Sequence, residues 1–201
     1  MPATNHAARE IQCTIVYCGP GLGGKTTNLE VIHRRTRPET RGQLVSLETP
    51  EERTLFFDFL PVDVGEVRGF QTRFHLVTVP GQVVHRATRR LILTGADGIV
   101  FVADSARDRM DANVESMQDL HEQLRAHGRD LASIPFVVQY NKRDLPGAVS
   151  LRELEEVVNP LVESDGGRQR APSHEAVART GVGVFETLTV VGERIVRELV
   201  P

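Results

Sequence analysis

The segment Gly19-Pro20-Gly21-Leu22-Gly23-Gly24-Lys25-Thr26-Thr27 combines small residues with one cation and two hydroxyl groups. A glycine, four intervening residues and then Gly-Lys-Thr is the spacing of a phosphate-binding P-loop. Small residues let several backbone N–H groups turn toward an anion, and the following helix adds its positive N-terminal end. Lys25 would place a point charge between the outer phosphates, and the Thr26 hydroxyl would be a ligand for Mg²⁺. The predicted phosphate contacts are Gly19, Gly21, Leu22, Gly23, Gly24, Lys25, Thr26 and Thr27.

A glycine-rich turn with this pattern also arises by chance, so its surroundings decide between the two interpretations. Residues 11–18 are short, apolar and rich in β-branched side chains, as is typical of a buried strand, whereas residues 26–33 read as a helix. A strand, a glycine turn and a helix form the context that a P-loop requires. The sequence therefore favours a phosphate site over a coincidental turn.

A second motif, Asn141-Lys142-Arg143-Asp144, follows the apolar run at residues 135–141. The Asp144 carboxylate can accept hydrogen bonds from the ring N1–H and the exocyclic amine of guanine, whereas adenine offers no such donor pair. Asn141 would tie the base loop to the phosphate loop, and the Lys142 stem would cover one face of the ring. Alone, this pattern is often only a polar turn at the end of a strand. On the same sheet edge as a P-loop it indicates a nucleotide site.

A third loop at residues 175–179 is expected beside the base. There the backbone N–H of Val177 or of Ala178 would reach the guanine carbonyl oxygen.

The elements that must position these motifs alternate between apolar strands and helical segments, which predicts an α/β fold with helices on both faces of a mostly parallel sheet. Residues 97–104 and 135–141 are near-continuous apolar runs, typical of central strands. Residues 70–78 alternate between two faces and residues 55–60 do so less cleanly, which indicates a pair nearer the edge. Apolar residues at helical spacing predict helices around 110–124 and 185–199. Residues 165–170 are expected to form a surface loop.

Length and composition exclude several classes of protein. A chain of 201 residues predicts one domain, 1–201, and a net charge of −3 argues against a general nucleic-acid binder. Cys13 and Cys18 lie five positions apart in one predicted strand, roughly 16 Å, so they cannot form a disulfide and fit a reducing compartment. No apolar run approaches the roughly 20 residues of a membrane span, and residues 1–6 lack the features of a secretory signal. We expect a cytoplasmic protein without a transmembrane segment.

In combination, the motifs resemble those of small Ras-like GTPases, and closely those of the MglA type, which are bacterial polarity and gliding-motility switches. The resemblance covers nearly the whole chain and rests on residues 19–29, 52–61, 73–76, 78–82 and 141–146. It implies a Ras-like P-loop NTPase fold with one antiparallel strand, and a GTP/GDP switch with Mg²⁺. It further implies slow intrinsic hydrolysis stimulated by a dimeric roadblock-type activator, MglB-like, effector proteins of polarity and motility, and recruitment to a cell pole.

Hydrolysis of GTP requires an oriented water molecule and stabilisation of the charge on the transferring phosphoryl group. Gln82 follows Gly81, a predicted nucleotide contact, and the Gln82 amide can donate to a γ oxygen while accepting from the water. The MglA resemblance assigns Arg53 as an arginine finger supplied in cis, although an ion pair with a nearby glutamate, Glu48, Glu51 or Glu52, is an open alternative. Thr54 is the second expected ligand of Mg²⁺.

Thr78 occupies the position where most Ras-like proteins carry an aspartate that holds Mg²⁺ through a water molecule, and the MglA type shares this threonine. The affinity for the metal is therefore expected to rest on Thr26 and Thr54. The segment Val83-Val84-His85, which should face the activator, replaces residues that are often aromatic in this type. A nucleotide-dependent scaffold with little hydrolysis thus stays an alternative, whereas Asp144 disfavours an ATP-using kinase.

Overall fold

The computed structural model describes residues 2–49, 52–79, 86–164 and 167–198, and the side chains at 47–49, 52–56, 86–88, 162–164 and 168 also lie outside the description. Within these residues the strands are β1 Ala3–Asn5, β2 Glu10–Cys18, β3 Val45–Thr49, β4 Glu52–Val67, β5 Phe70–Thr78, β6 Gly98–Asp104, β7 Phe136–Asn141, β8 Leu161–Ser164, β9 Gly167–Arg170 and β10 Ser173–Glu175. The α-helices are α1 Lys25–Arg35, α2 Arg86–Thr94, α3 Met110–Arg125, α4 Leu151–Val157 and α5 Val184–Glu198. Short 3-10 turns occur at Pro38–Thr40, Arg107–Arg109 and Leu131–Ser133.

The main sheet has the order β10-β7-β6-β2-β5-β4-β3. The pairs β2–β5, β2–β6, β6–β7 and β7–β10 are parallel, whereas β4 is antiparallel to both β5 and β3. The expected mostly parallel sheet is confirmed, and β4 is the antiparallel strand within its order. The short β1 adds a second antiparallel pairing, with β2, beside this path.

Helices cover both faces of the sheet, and each face has its own apolar core. Helices α1 and α5 pack on one face, and α2, α3 and α4 pack on the other. Alternation along β2 sends Cys13, Ile15 and Tyr17 to the first core and Val16 and Cys18 to the second. Both cysteines are buried free thiols on opposite faces. Every residue of β6 and β7 is buried, which explains the continuous apolar runs of these central strands.

Two segments differ from the sequence predictions. Residues 167–170 form β9, paired antiparallel with β8, so the predicted surface loop at 165–170 is wrong for this part. The sequence pattern did not predict this hairpin, because the described side chains of Leu161, Gln169 and Arg170 are exposed, and exposed strand positions carry no alternating apolar pattern. Strand β4 is much longer than residues 55–60, because its second half continues as a partly exposed ribbon with β5 beyond the core.

The fold positions the predicted motifs through its parallel strands. Strand β2 ends at Cys18, β5 at Thr78, β6 at Asp104 and β7 at Asn141. Because these strands run in the same direction, the loops that follow them emerge at one edge of the sheet, where ligands bind in open α/β folds. Among the described helices, none is both long and apolar enough to cross a membrane.

Candidate functional site

The phosphate loop between β2 and α1 depends on glycine at two positions. Gly19 and Gly24 have φ angles of 127° and 101°, a region that residues with a Cβ rarely adopt. A Cβ on Gly19 would lie 2.3 Å from the Val102 carbonyl oxygen, and one on Gly24 would lie 2.2 Å from Asn141 Nδ2. The glycines therefore let the loop lie directly against β6 and against the base loop.

The tip of the loop, at Gly21 and Leu22, is open to a ligand. A Cβ on Gly21 would meet nothing within 4 Å, and Leu22, with φ of 62°, is exposed. Gly23 donates its N–H to the Pro20 carbonyl oxygen at 3.2 Å, which closes the turn before Gly24 caps α1. The N-terminal end of α1 is thus presented at this loop, as an anion site requires.

Lys25 folds back over the phosphate loop. Its Nζ donates to the carbonyl oxygens of Gly19 at 3.1 Å and Pro20 at 2.7 Å. The side chain is buried, and this desolvation lowers the pKa of Lys25 to about 8. An ammonium group has three donors, so the two bonds leave one hydrogen to direct at a phosphate.

The Thr26 hydroxyl faces a carboxylate that the sequence analysis did not include. Thr26 Oγ1 donates to Asp58 Oδ2 at 2.7 Å, and Asp58 itself is buried on β4. A hydroxyl whose proton is donated to a carboxylate presents its lone pairs to a cation, and such oxygen donors suit Mg²⁺. The residues present therefore fit the metal that the family resemblance implies. The sequence feature that could have pointed to Asp58 is its position as a charged residue inside the otherwise apolar run at residues 55–60.

No group of three or more His, Cys, Asp or Glu side chains suited to a metal occurs among the described residues.

Asn141 connects three loops at the edge of the sheet. Its Nδ2 donates to the Gly23 carbonyl oxygen at 2.8 Å, and its Oδ1 accepts from the Ala178 N–H at 2.8 Å. The side chain is almost completely buried, so both bonds are shielded from water. The base loop, the phosphate loop and the loop after β10 are therefore held in one arrangement, as the sequence suggested for the first two.

Lys142 is held in a left-handed backbone conformation with φ of 63°, which is strained for a lysine. Its Nζ forms an ion pair with Asp104 Oδ2 at 2.6 Å, and the Asp104 side chain is fully buried. Arg109, which the sequence reading did not single out, lies beside this pair and donates from a terminal guanidinium nitrogen to the Gly21 carbonyl oxygen at 2.8 Å. These contacts join the base loop to the tip of the phosphate loop.

A cleft of about 190 Å³ lies between the phosphate loop and the base loop. Its lining contains Leu22, Gly24, Thr27, Asn141, Lys142, Asp144, Leu145, Val177, Ala178 and Arg179. Asp144 accepts hydrogen bonds from Arg179 Nε at 2.8 Å and from its terminal nitrogen at 2.6 Å. The Arg179 hydrogen bond lowers the pKa of Asp144, which keeps the carboxylate ionised and able to accept.

The third loop differs from the sequence expectation. The Val177 N–H donates to the Val182 carbonyl oxygen at 3.0 Å, and the Ala178 N–H already serves Asn141. Both amides are therefore engaged within the protein, and the expectation that one of them faces a guanine carbonyl does not match these hydrogen bonds. The reason is a tight turn after β10, in which Thr180 and Gly181 also donate to the Val177 carbonyl oxygen.

Four predicted residues cannot be placed by their side chains. Gly81 and Gln82 lie outside the described residues. Arg53 and Thr54 belong to β4 by their backbone, but their side chains also lie outside the description.

A phosphate loop lies at the start of a helix, and a cleft lined by the Asp144 carboxylate lies beside it, at one edge of a mostly parallel sheet. These features define a P-loop nucleotide-binding protein with a Ras-like fold. Comparison with known proteins refines this class. Residues 7–195 match the model of the ADP-ribosylation factor family, so the chain belongs to that family. It is a small Ras-like GTPase, which binds guanine nucleotide and hydrolyses GTP.

Individual relatives cover much of the chain. It is 54% identical over 199 residues, 99% of its own length and 98% of the relative, to the mutual gliding-motility protein MglA of Myxococcus xanthus (strain DK1622). It is 32% identical over 139 residues to ADP-ribosylation factor-like protein 6 of Caenorhabditis elegans, covering 67% of this chain and 70% of the relative. The match to ADP-ribosylation factor-like protein 2 of Drosophila melanogaster is 30% over 148 residues, or 68% and 77% of the two chains. The predicted resemblance to the MglA type of small GTPase is thereby confirmed.

Proposed function

We propose that the protein is a GTP/GDP switch that controls motility and polarity of the cell, acting as a single cytoplasmic domain. The observation that carries the proposal is the position of Asn141, whose side chain joins the phosphate loop to the base loop. In this proposal the phosphates bind at Lys25 and the base is read by Asp144, on either side of this junction. The role in motility is supported by the similarity to the gliding-motility protein of Myxococcus xanthus.

In this proposal Mg²⁺ binds beside the phosphate loop, with the hydroxyls of Thr26 and Thr54 as ligands. Bound there, the metal would supply positive charge that offsets the charge developing on the transferring phosphoryl group. The orientation of the Thr26 hydroxyl supports its role, because its proton is already donated to Asp58.

Hydrolysis is assigned to Gln82, which orients the water, and to Arg53, which stabilises the transferring phosphoryl group. A roadblock-type MglB-like dimer brings both side chains into position and so accelerates a slow intrinsic reaction. Polarity and motility effectors then distinguish the GTP form from the GDP form, and recruitment to a cell pole follows from those contacts.

Base recognition is tested by Asp144→Asn, because an amide complements xanthine in place of guanine. We expect the variant to lose affinity for GDP and to gain affinity for xanthosine diphosphate in calorimetric titrations. Asp130→Asn removes a carboxylate from the loop after α3 and serves as the matched control, with unchanged preference for guanine. A variant at Asp144 that still prefers GDP would show that this carboxylate does not read the base.

The switch mechanism is tested by single-turnover hydrolysis with and without a roadblock-type dimer. Gln82→Ala should bind GTP nearly as the wild type does and lose the stimulated reaction. Normal turnover in this variant would remove Gln82 from the mechanism. A wild-type protein that binds GTP but hydrolyses it no faster with the dimer would favour the scaffold alternative.

A further inference from the structure

The backbone of the phosphate loop is strained at its tip. Leu22 has a left-handed backbone conformation, with φ of 62°, which costs free energy for any residue that carries a Cβ. Its side chain is 87% exposed, so the packing of that side chain does not hold the backbone in this conformation. The strain at Leu22 must therefore be offset by contacts that neighbouring groups make with the loop.

Arg109 makes such a contact, at the peptide bond between Gly21 and Leu22. Its guanidinium Nη2 donates to the Gly21 carbonyl oxygen at 2.8 Å. This peptide bond is trans, so its C=O and its N–H point in opposite directions. By holding the carbonyl group, Arg109 therefore directs the Leu22 N–H away from itself and from α3.

The Leu22 N–H is available to a ligand. Within the part of the chain that the structure describes, no group accepts a hydrogen bond from it. Leu22 also lines the cleft between the phosphate loop and the base loop. A backbone N–H that is left unpaired in a loop of this kind is a donor for a phosphate oxygen.

Arg109 is held in place by a rigid neighbour. It directly precedes α3, and its Nε lies 3.9 Å from Oδ2 of Asp104, whose side chain is fully buried. Asn113 fixes the Asp104 backbone, because Asn113 Oδ1 accepts from the Asp104 N–H at 2.9 Å and Asn113 Nδ2 donates to the Asp104 carbonyl oxygen at 2.8 Å. A guanidinium group that is already oriented by this carboxylate loses little further freedom when it binds Gly21.

We propose that Arg109 is a positioning residue for the outer phosphates of the bound nucleotide, because it holds the strained tip of the phosphate loop with the Leu22 N–H directed at them. The loop then meets the nucleotide in its binding conformation, and binding does not have to supply the energy of the strain. This inference rests on the proposed binding of nucleotide phosphates at the loop of Lys25.

The test measures the affinity of the nucleotide-free full chain for GDP by calorimetric titration. Arg109→Met removes the contact with Gly21, while Asp104 keeps Lys142 as its counter-ion. Without the contact, Leu22 relaxes from the left-handed conformation, and binding has to restore it. The affinity should therefore fall by about 5- to 30-fold, which is the cost of a left-handed residue expressed as a ratio of affinities.

The same substitution in a Leu22→Gly background separates positioning from a merely structural role. Glycine adopts left-handed and right-handed conformations about equally readily, so a glycine at this position needs no contact to offset strain. In that background, Arg109→Met should lower the affinity for GDP by no more than about threefold.

Two further variants complete the experiment. Arg107→Met is the matched control, because Arg107 lies in the same 3-10 turn but pairs with Glu153 at 3.1 Å, and its affinity for GDP should stay within about twofold of the wild type. Arg109→Lys keeps a cation beside Asp104, but its shorter side chain falls short of the Gly21 oxygen. It should lose affinity as Arg109→Met does, and it tests the proposal if Arg109→Met does not fold.

An equal loss of affinity in the Leu22 and Leu22→Gly backgrounds would overturn the inference, because Arg109 would then act on the fold or on the ligand and not through Leu22. Unchanged affinity in Arg109→Met, or in Arg109→Lys where Arg109→Met does not fold, would also overturn it and would leave the proposed nucleotide site intact. A wild-type chain that does not bind GDP would instead refute the proposed function, and this inference with it.

Discussion

Removal of the Lys25 charge should change how the stability of the nucleotide-free protein depends on pH. Lys25 is buried beneath the phosphate loop, and burial lowers its pKa from 10.5 to about 8. Lys25→Met keeps the length and the apolar stem of the side chain but cannot bind a proton. The comparison of the wild type with this variant therefore isolates the titration of a single group.

The size of the effect follows from the difference between the two pKa values. At about 1.4 kcal/mol per pKa unit, a decrease from 10.5 to about 8 corresponds to about 3 kcal/mol. Between these pH values the unfolded chain holds the proton and the folded protein does not. Because the unfolded state then binds more protons, the free energy of unfolding of the wild type rises with pH through this window.

The penalty for the buried charge is thus fully present below pH 8 and is relieved as the pH approaches 10.5. Relative to Lys25→Met, the wild type should gain about 3 kcal/mol of stability between pH 7 and pH 10.5. The slope should not exceed about 1.4 kcal/mol per pH unit, the limit for one proton.

Urea unfolding of the nucleotide-free proteins at several pH values between 7 and 10.5 measures this difference. Arg34→Met is the control, because it removes an exposed cation from the same helix, and arginine does not titrate in this range. Its difference from the wild type should be constant. A difference between wild type and Lys25→Met that is also constant would show that Lys25 is not held in a desolvating site, and the account of the phosphate loop would be wrong.

Three further outcomes follow from the geometry. Asn141→Ala leaves two buried backbone groups without a partner, so it should lower the free energy of unfolding in urea by about 2 kcal/mol and weaken GDP binding. Unchanged stability would contradict the bridging role of Asn141. Arg179→Ala frees the Asp144 carboxylate from an exposed ion pair, so calorimetry should show up to about fivefold tighter GDP binding, and weaker binding would mean that Arg179 itself contacts the ligand. Desolvation raises the pKa of Cys13 and of Cys18 to about 12. At pH 8, iodoacetamide should therefore label the folded protein at least about a hundredfold more slowly than the urea-unfolded chain, as measured by mass spectrometry, and equal rates would place the thiols in solvent.

Local chemistry explains why much of the site could be predicted from the sequence. Gly19, Gly24 and Lys25 lie in one continuous segment, and their spacing reflects the geometry of a loop around phosphate. The runs that became β6 and β7 are apolar throughout because both faces of a central parallel strand are covered. Since strand direction alone places the ends of such strands at one edge, the proximity of Asn141 to the phosphate loop was also predictable.

Other features depend on pairings between distant segments that leave no periodic signal. The side-chain hydrogen bond between Thr26 and Asp58 joins residues 32 positions apart, and its formation requires the register between β4 and β5. The use of the Ala178 N–H by Asn141 and the ion pair between Arg179 and Asp144 are likewise set by how the loops meet.

The sequence by itself determined the class of ligand and the central part of the sheet, because a phosphate loop, a base-reading carboxylate and buried parallel strands each require particular residues at short spacing. Only the tertiary structure decided which carboxylate stands beside the Thr26 hydroxyl and which backbone amides are already engaged. A hydrogen bond is satisfied by whichever partner the packed strands and loops bring within about 3 Å, and neighbours along the chain do not reveal that partner.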